Sequence, residues 1–200
     1  MAETAESAVE HRAMLEALSR LGYQFDDMTA FANSRLRHKD AVPLLLNLLK
    51  SVENPMNRLR FAHALTTPAA KGVAVPGLLE AFTRTPNDDP IRVRWAIGSA
   101  IEATFDDAYA DEVSSLALDR QYGRDREMLA LALRKSRKEE VIDVLLDLTR
   151  DPDVDGHAID ALSHSANPRA RQVFEEKLFD RRAWVRKRAA AGLRKLDAQK

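Results

Sequence analysis

"WVRKRAAAGLRKL", residues 184–196, sets five basic side chains into thirteen positions of a chain whose 31 basic and 31 acidic residues cancel. Either this is a nucleic-acid-binding helix, or it is the last member of a series begun earlier. On a helical wheel of about 100° per residue, Val185, Ala189, Gly192, Leu193 and Leu196 share one sector, with Lys187, Ala190 and Arg194 opposite. The stretch therefore has a side suited to burial.

The same pattern recurs upstream: an apolar or neutral residue, a basic one, then apolar and small residues at helical spacing. Val93, Arg94, Ile97, Ala100 and Ile101 carry it in "IRVRWAIGSAI". Val154, Ala158, Ala161 and Leu162 carry it in "DPDVDGHAIDAL", where Asp155 replaces the basic residue. Asp125, Arg126, Leu129, Ala132 and Leu133 form a weaker copy, as do Asn57, Arg58, Phe61, Ala64 and Leu65. The copies start at 57, 93, 125, 154 and 185, roughly thirty residues apart, which is the period of stacked helix pairs. Between them a second element recurs as "DAVPLLLNLLK", "VAVPGLLEAFTR", "DEVSSLALDR", "EEVIDVLLDLTR" and "PRARQVFEEKL". Pro43 and Pro76 suit a first helical turn, and Asp40, Asp111 and Asn167 stand where a cap or first-turn acid is favoured. The expectation is an all-α chain: an α-solenoid of about five two-helix repeats over residues 40–200, continuous with an N-terminal helical cap over 1–39. Within the cap, Gly22 ends one helix and Asp26 or Asp27 begins another.

"RDPDVDGHAIDALSHSANPRARQVFEEKL" resembles a HEAT repeat of the phycobilisome-lyase type. That type has a D-P turn (here Asp151 and Pro152), a V-R-x-x-A-x-x-A-L helix, a D-P-R-A turn (here Asn167, Pro168, Arg169 and Ala170) and a helix with paired leucines. The resemblance spans about residues 40–196 and implies that the second helix of each repeat lines a concave surface. On those helices the non-core positions are Asn47, Lys50, Glu80, Arg84, Asp143, Asp147, Arg150, Glu175 and Glu176. A groove of mixed charge suits a protein or peptide partner. The expectation is a non-catalytic adaptor, monomeric and cofactor-free.

Composition narrows the alternatives. Zero net charge provides no overall field toward nucleic acid or an anionic membrane. Absence of cysteine removes disulfides and thiolate chemistry, and no run approaches the ~18 apolar residues of a membrane span; the expected location is the cytoplasm. The P-loop, dinucleotide, zinc-protease and nucleophile-elbow motifs are missing. None of His11, His38, His63, His157 or His164 precedes a Glu, unlike the His-Glu ligand pairs of HEAT-type iron hydroxylases. His157, Asp160 and His164, with Asp153 a turn earlier, share one helix flank; the reading preferred here is a surface stripe rather than a zinc site. Trp95 and Trp184 are expected to shield repeat junctions. The acidic clusters at 86–90 and 106–112 read as solvated turns. The helix at 184–196 reads as a terminal cap, the alternative being a polyanion contact through Arg181, Arg182, Arg186, Lys187 and Arg194. Rival readings by fold analogy are a HEAT-like DNA glycosylase, a chromophore-lyase accessory subunit and an immunity-type inhibitor.

Overall fold

A computed structural model describes residues 5–34, 39–87 and 91–198. Among them every regular element is helical: α1 (Ala5–Arg20), α2 (Met28–Asn33), α3 (Val42–Ser51), α4 (Pro55–Leu65), α5 (Val75–Arg84), α6 (Val93–Thr104), α7 (Ala110–Leu118), α8 (Glu127–Ala132), α9 (Glu140–Leu148), α10 (Asp155–Ser165), α11 (Arg171–Lys177) and α12 (Ala183–Asp197). The chain divides into two compact units, the first ending at Phe105 and the second beginning at Asp106. Helices α1 and α2 pack on α4 within the first unit, so the contacts thin out between residues 105 and 106 rather than between the cap and the repeats.

Each helix forms where sequence supplies both a buried stripe and a stop. In the first unit Leu45, Leu49, Phe61, Leu65, Leu78, Phe82, Ile97 and Ile101 meet in the core; in the second Val113, Leu129, Leu145, Ile159, Leu162, Phe174, Val185 and Leu196 do. Gly22, at φ +86°, ends α1 with its N–H on the Ser19 carbonyl, a conformation a side chain would strain. Asp27 caps α2 by accepting from the Ala30 N–H at 2.7 Å. Asp40 is a first-turn acid of the short 3-10 helix Lys39–Ala41 and accepts from the Tyr23 hydroxyl, tying the cap region to the start of α3, while the position before α3 is Ala41, which has no side-chain acceptor.

The repeat is visible in its turns. Thr67, Asp106, Ser136 and Asn167 each open the connection after an alanine-rich helix, and each accepts from the backbone N–H two residues on. At Thr67, Asp106 and Asn167 the carbonyl also accepts from the N–H three residues on, so side chain and backbone together close a tight turn. The basic residue of the motif has a structural use as well. Arg94, 2 % exposed, donates to the Phe82 carbonyl at 3.1 Å and to the Thr85 carbonyl at the end of α5. Arg126, 0 % exposed, donates to the Ala117 carbonyl at 3.0 Å, to Gly123 at 2.8 Å and to Asp151 at 2.9 Å. Arg186 donates to the carbonyls of Asp180 and Arg181. In each case the cation satisfies carbonyls at or beyond a helix C-terminus, where the helix dipole also favours positive charge.

Helix pairing corrects the phase read from sequence. The close sequence-adjacent partners are α3 with α4, α5 with α6, α7 with α8, α9 with α10 and α11 with α12. The leucine-rich helix thus pairs with the alanine-rich helix that follows it, not the one that precedes it. In the first unit α4 and α6 pack extensively whereas α3 and α5 touch lightly; in the second, α8, α10 and α12 pack in sequence while α7 and α9 contact less and α9 and α11 hardly at all. In each unit the alanine-rich helices, which pack on one another, are called the inner layer and the leucine-rich helices the outer layer. Small residues permit close approach both within the alanine-rich layer and within a pair: a Cβ at Gly156 of α10 would lie 2.5 Å from Trp184 of α12, and one at Gly192 of α12 would lie 2.5 Å from Phe174 of α11.

Candidate functional site

The residues expected on a concave face belong to the outer layer. Asn47 and Lys50 are on α3, Glu80 and Arg84 on α5, Asp143 and Asp147 on α9, Glu175 and Glu176 on α11, with Arg150 just past α9. The leucine-rich helix that carries them is the first of its pair here, where the sequence reading took it as the second. Much of their charge is engaged locally. Lys50 binds Glu80, which also takes Arg84 at 3.0 Å. Asp143 binds Arg169, Asp147 faces Arg150 at 3.7 Å and Glu175 faces Arg171 at 3.8 Å. The Lys50 ammonium holds the Glu80 carboxyl below its ordinary range.

The inner layer of the second unit holds the richer arrangement. His157, Asp160 and His164 do share one flank of α10, and what they meet is α12. The His157 ring lies against Trp184 at 5.5 Å, Asp160 faces the Arg188 guanidinium at 3.0 Å, and the His164 carbonyl accepts from Lys195 at 2.6 Å. Because Trp184, Arg188, Ala191 and Lys195 follow one another at helical spacing, these are three rungs of a ladder between two neighbouring inner helices. His164 Nδ1 is also within 2.8 Å of the Asp160 carbonyl. Among the described residues no group of three acidic or imidazole side chains converges to hold a metal ion. His38 and residues 88–90 of the acidic cluster at 86–90 lie outside the described residues.

At the N-terminal end of the ladder is a cavity of about 310 Å3. Its walls are Trp184, His157, Gly156 and Pro152; Arg124, Glu127, Asp153, Arg181 and Arg182 surround them. Burial pushes the His157 imidazole below its ordinary value, more than the opposing charges of Glu127 and Asp160 restore, so the ring is neutral near pH 7. Behind the wall lies the residue that broke the sequence pattern. Asp155, where other copies have a cation, accepts from Arg182 at 2.8 and 2.6 Å and from Lys177 at 2.6 Å. Arg182 also grips Asp180 through two bonds of 2.9 Å. Burial raises the Asp155 carboxyl, but the bonds from Arg182 and Lys177 outweigh it and the net shift is downward. Asp180 is held far below the carboxylate range, chiefly by Arg182. This charge inversion locks the turn between α11 and α12 onto α10.

The five cations proposed for a polyanion now separate. Arg182 is committed to Asp155 and Asp180, and Arg186 to two carbonyls. Arg181, Lys187 and Arg194 are exposed and make no side-chain ion pair among the described residues. Sequence reasoning passed over Phe179, which is 88 % exposed in that same turn. Its signal was present as an aromatic outside the repeat's apolar stripe, directly before "DRRAW". Trp95, in the first unit, is half-buried under the Arg92 guanidinium at 5.3 Å. A second hollow, about 510 Å3, lies on the cap beside Tyr23 and Phe25.

No family model matches the chain, and searches of curated proteins and of solved structures return no match. No described helix is long and apolar enough to cross a membrane.

Proposed function

We propose that the protein is a non-catalytic scaffold of HEAT-type repeats, a short α-solenoid that binds a protein partner along its inner, alanine-rich layer. The observation that carries this reading is the ladder of His157–Trp184, Asp160–Arg188 and His164–Lys195. It presents aromatic, cationic and neutral polar groups where α10 and α12 meet. Interfaces favour such a mixture, with aromatic and arginine side chains at their centres. The mixed sign of the flanking charges supports recognition of a protein surface over a uniform polyanion.

The test is affinity capture from the native host with two opposed variants. Ala191 is half-buried between the Arg188 and Lys195 rungs, so Ala191→Arg adds bulk there without removing a bond. Asp147→Arg reverses a charge on the outer layer. The expected result is a specific partner retained by the wild type and by Asp147→Arg but lost from Ala191→Arg, with both variants melting like the wild type. Loss from Asp147→Arg alone would return the site to the outer helices and overturn the reading.

A further inference from the structure

The turn between α11 and α12 is built as though to be covered. Phe179 is 88 % exposed, the most exposed large apolar side chain described, and Trp184, five residues on, is 43 % exposed. The turn beneath them is fixed. Arg182 binds both Asp155 and Asp180, Lys177 binds Asp155, and the Trp184 ring lies where Gly156 leaves no room for a Cβ. A surface ordered in advance loses little freedom on binding, which raises affinity for a given contact area.

Charge identifies the occupant. Around the cavity Glu127 is met by Arg124 at 2.7 Å, Asp151 by Arg126 at 2.9 Å, and Asp155 and Asp180 by Arg182 and Lys177. Asp153 lies 3.7 Å from Arg126. Among the described residues, Arg181, at the cavity, and Lys187, one turn into α12, are exposed cations that meet no carboxylate. An exposed apolar side chain two residues from an unmatched cation, Phe179 before Arg181, is complementary to an acidic stretch that also carries apolar side chains.

We propose that this turn and its cavity dock an acidic, leucine-containing segment of a partner protein, with a carboxylate entering against Arg181 beside the Trp184–His157 wall and Phe179 buried in the partner. The inference rests on the scaffold reading and narrows it to one end of the ladder. Clustered aromatic and arginine anchors carry most of an interface's affinity, so removing either is expected to weaken binding by about thirtyfold.

The test uses the full chain and a fluorescein-labelled ten-residue peptide of glutamates with two leucines, measured by fluorescence anisotropy. Controls are its Glu→Gln and Leu→Ser counterparts and a single-stranded RNA of equal charge. The expected result is binding of the acidic leucine peptide alone, weakening as salt rises, and falling about thirtyfold in Phe179→Ser and in Arg181→Glu. Both residues are exposed, so unchanged melting and circular dichroism separate lost binding from lost fold. No binding of the acidic peptide, equal binding of its Leu→Ser counterpart or of RNA, or insensitivity to both substitutions would overturn the proposal. Loss of the native partner from Ala191→Arg but not from Phe179→Ser or Arg181→Glu would overturn this proposal while leaving the scaffold reading intact.

Discussion

Replacing Arg126 by methionine removes the cation that ties α7, the 119–126 turn and the D-P turn together. The side chain is fully buried, donates at 2.8 Å to Gly123, 3.0 Å to Ala117 and 2.9 Å to Asp151, and lies 3.7 Å from Asp153. Methionine fills much of the volume but leaves Asp151, 5 % exposed, with the Asp153 N–H and the mostly exposed Arg120 at 3.6 Å. Stranding one member of a buried pair costs about 3–5 kcal/mol, a large part of the roughly 5–15 kcal/mol of a whole domain. The loss should depend on pH. Burial raises the Asp151 carboxyl, while the bond and charge of Arg126, the Asp153 N–H and Arg120 hold it, on balance, below its ordinary value. Its contribution is therefore present above about pH 4 and disappears as pH falls through the lowered folded-state value. Without Arg126 the buried acid protonates more readily, and the deficit narrows toward acid pH. Urea unfolding followed by Trp184 fluorescence in a Trp95→Phe background reads this in the second unit. Arg126→Met with Asp151→Leu should recover more than half of the loss at pH 7. A loss below about 1 kcal/mol at pH 7, or one equal at pH 7 and pH 3, would refute the reasoning.

Three further outcomes are expected. Gly192→Ala should destabilise by about 1–3 kcal/mol, more than Gly156→Ala, because Phe174 is fully buried whereas Trp184 is 43 % exposed, so displacing its ring uncovers less; melting temperatures and a red shift of Trp184 emission confined to Gly156→Ala check this. Ala166 ends α10 with φ +50°, so Ala166→Gly should stabilise by about 0.5–1 kcal/mol as measured by urea midpoint. His157 has a folded-state value lowered mainly by burial, so the unfolded chain takes up its proton first and stability falls as pH drops below about 6.5; His157→Gln should flatten the change in urea midpoint between pH 7 and pH 5.

Helix positions were readable from sequence because each combines an apolar stripe with a punctuating residue. The copies begun at 57, 93, 125, 154 and 185 lie within two residues of the starts of α4, α6, α8, α10 and α12. Pairing was not readable. Connections before and after an alanine-rich helix have similar lengths, as in 149–154 and 166–170, so spacing alone does not say which neighbour a helix folds against. That ambiguity paired the helices that carry Asn47 through Glu176 with the wrong neighbours. The His157 stripe was legible as one flank, but its meaning came from Trp184, Arg188 and Lys195 on another helix, a pairing that periodicity does not encode. The departure at Asp155 was legible as an exception; its reason, a charge inversion answered by Lys177 and Arg182, required the packed turn.

The central claim is that a partner occupies the inner layer of the second unit. The most direct measurement is photo-crosslinking in the native host, with a photoreactive amino acid placed singly at Ala191, His164, Asp147 or Glu176. The expected result is one and the same protein captured from positions 191 and 164 and nothing specific from 147 and 176. Capture from 147 and 176 with none from 191 and 164 would contradict the account.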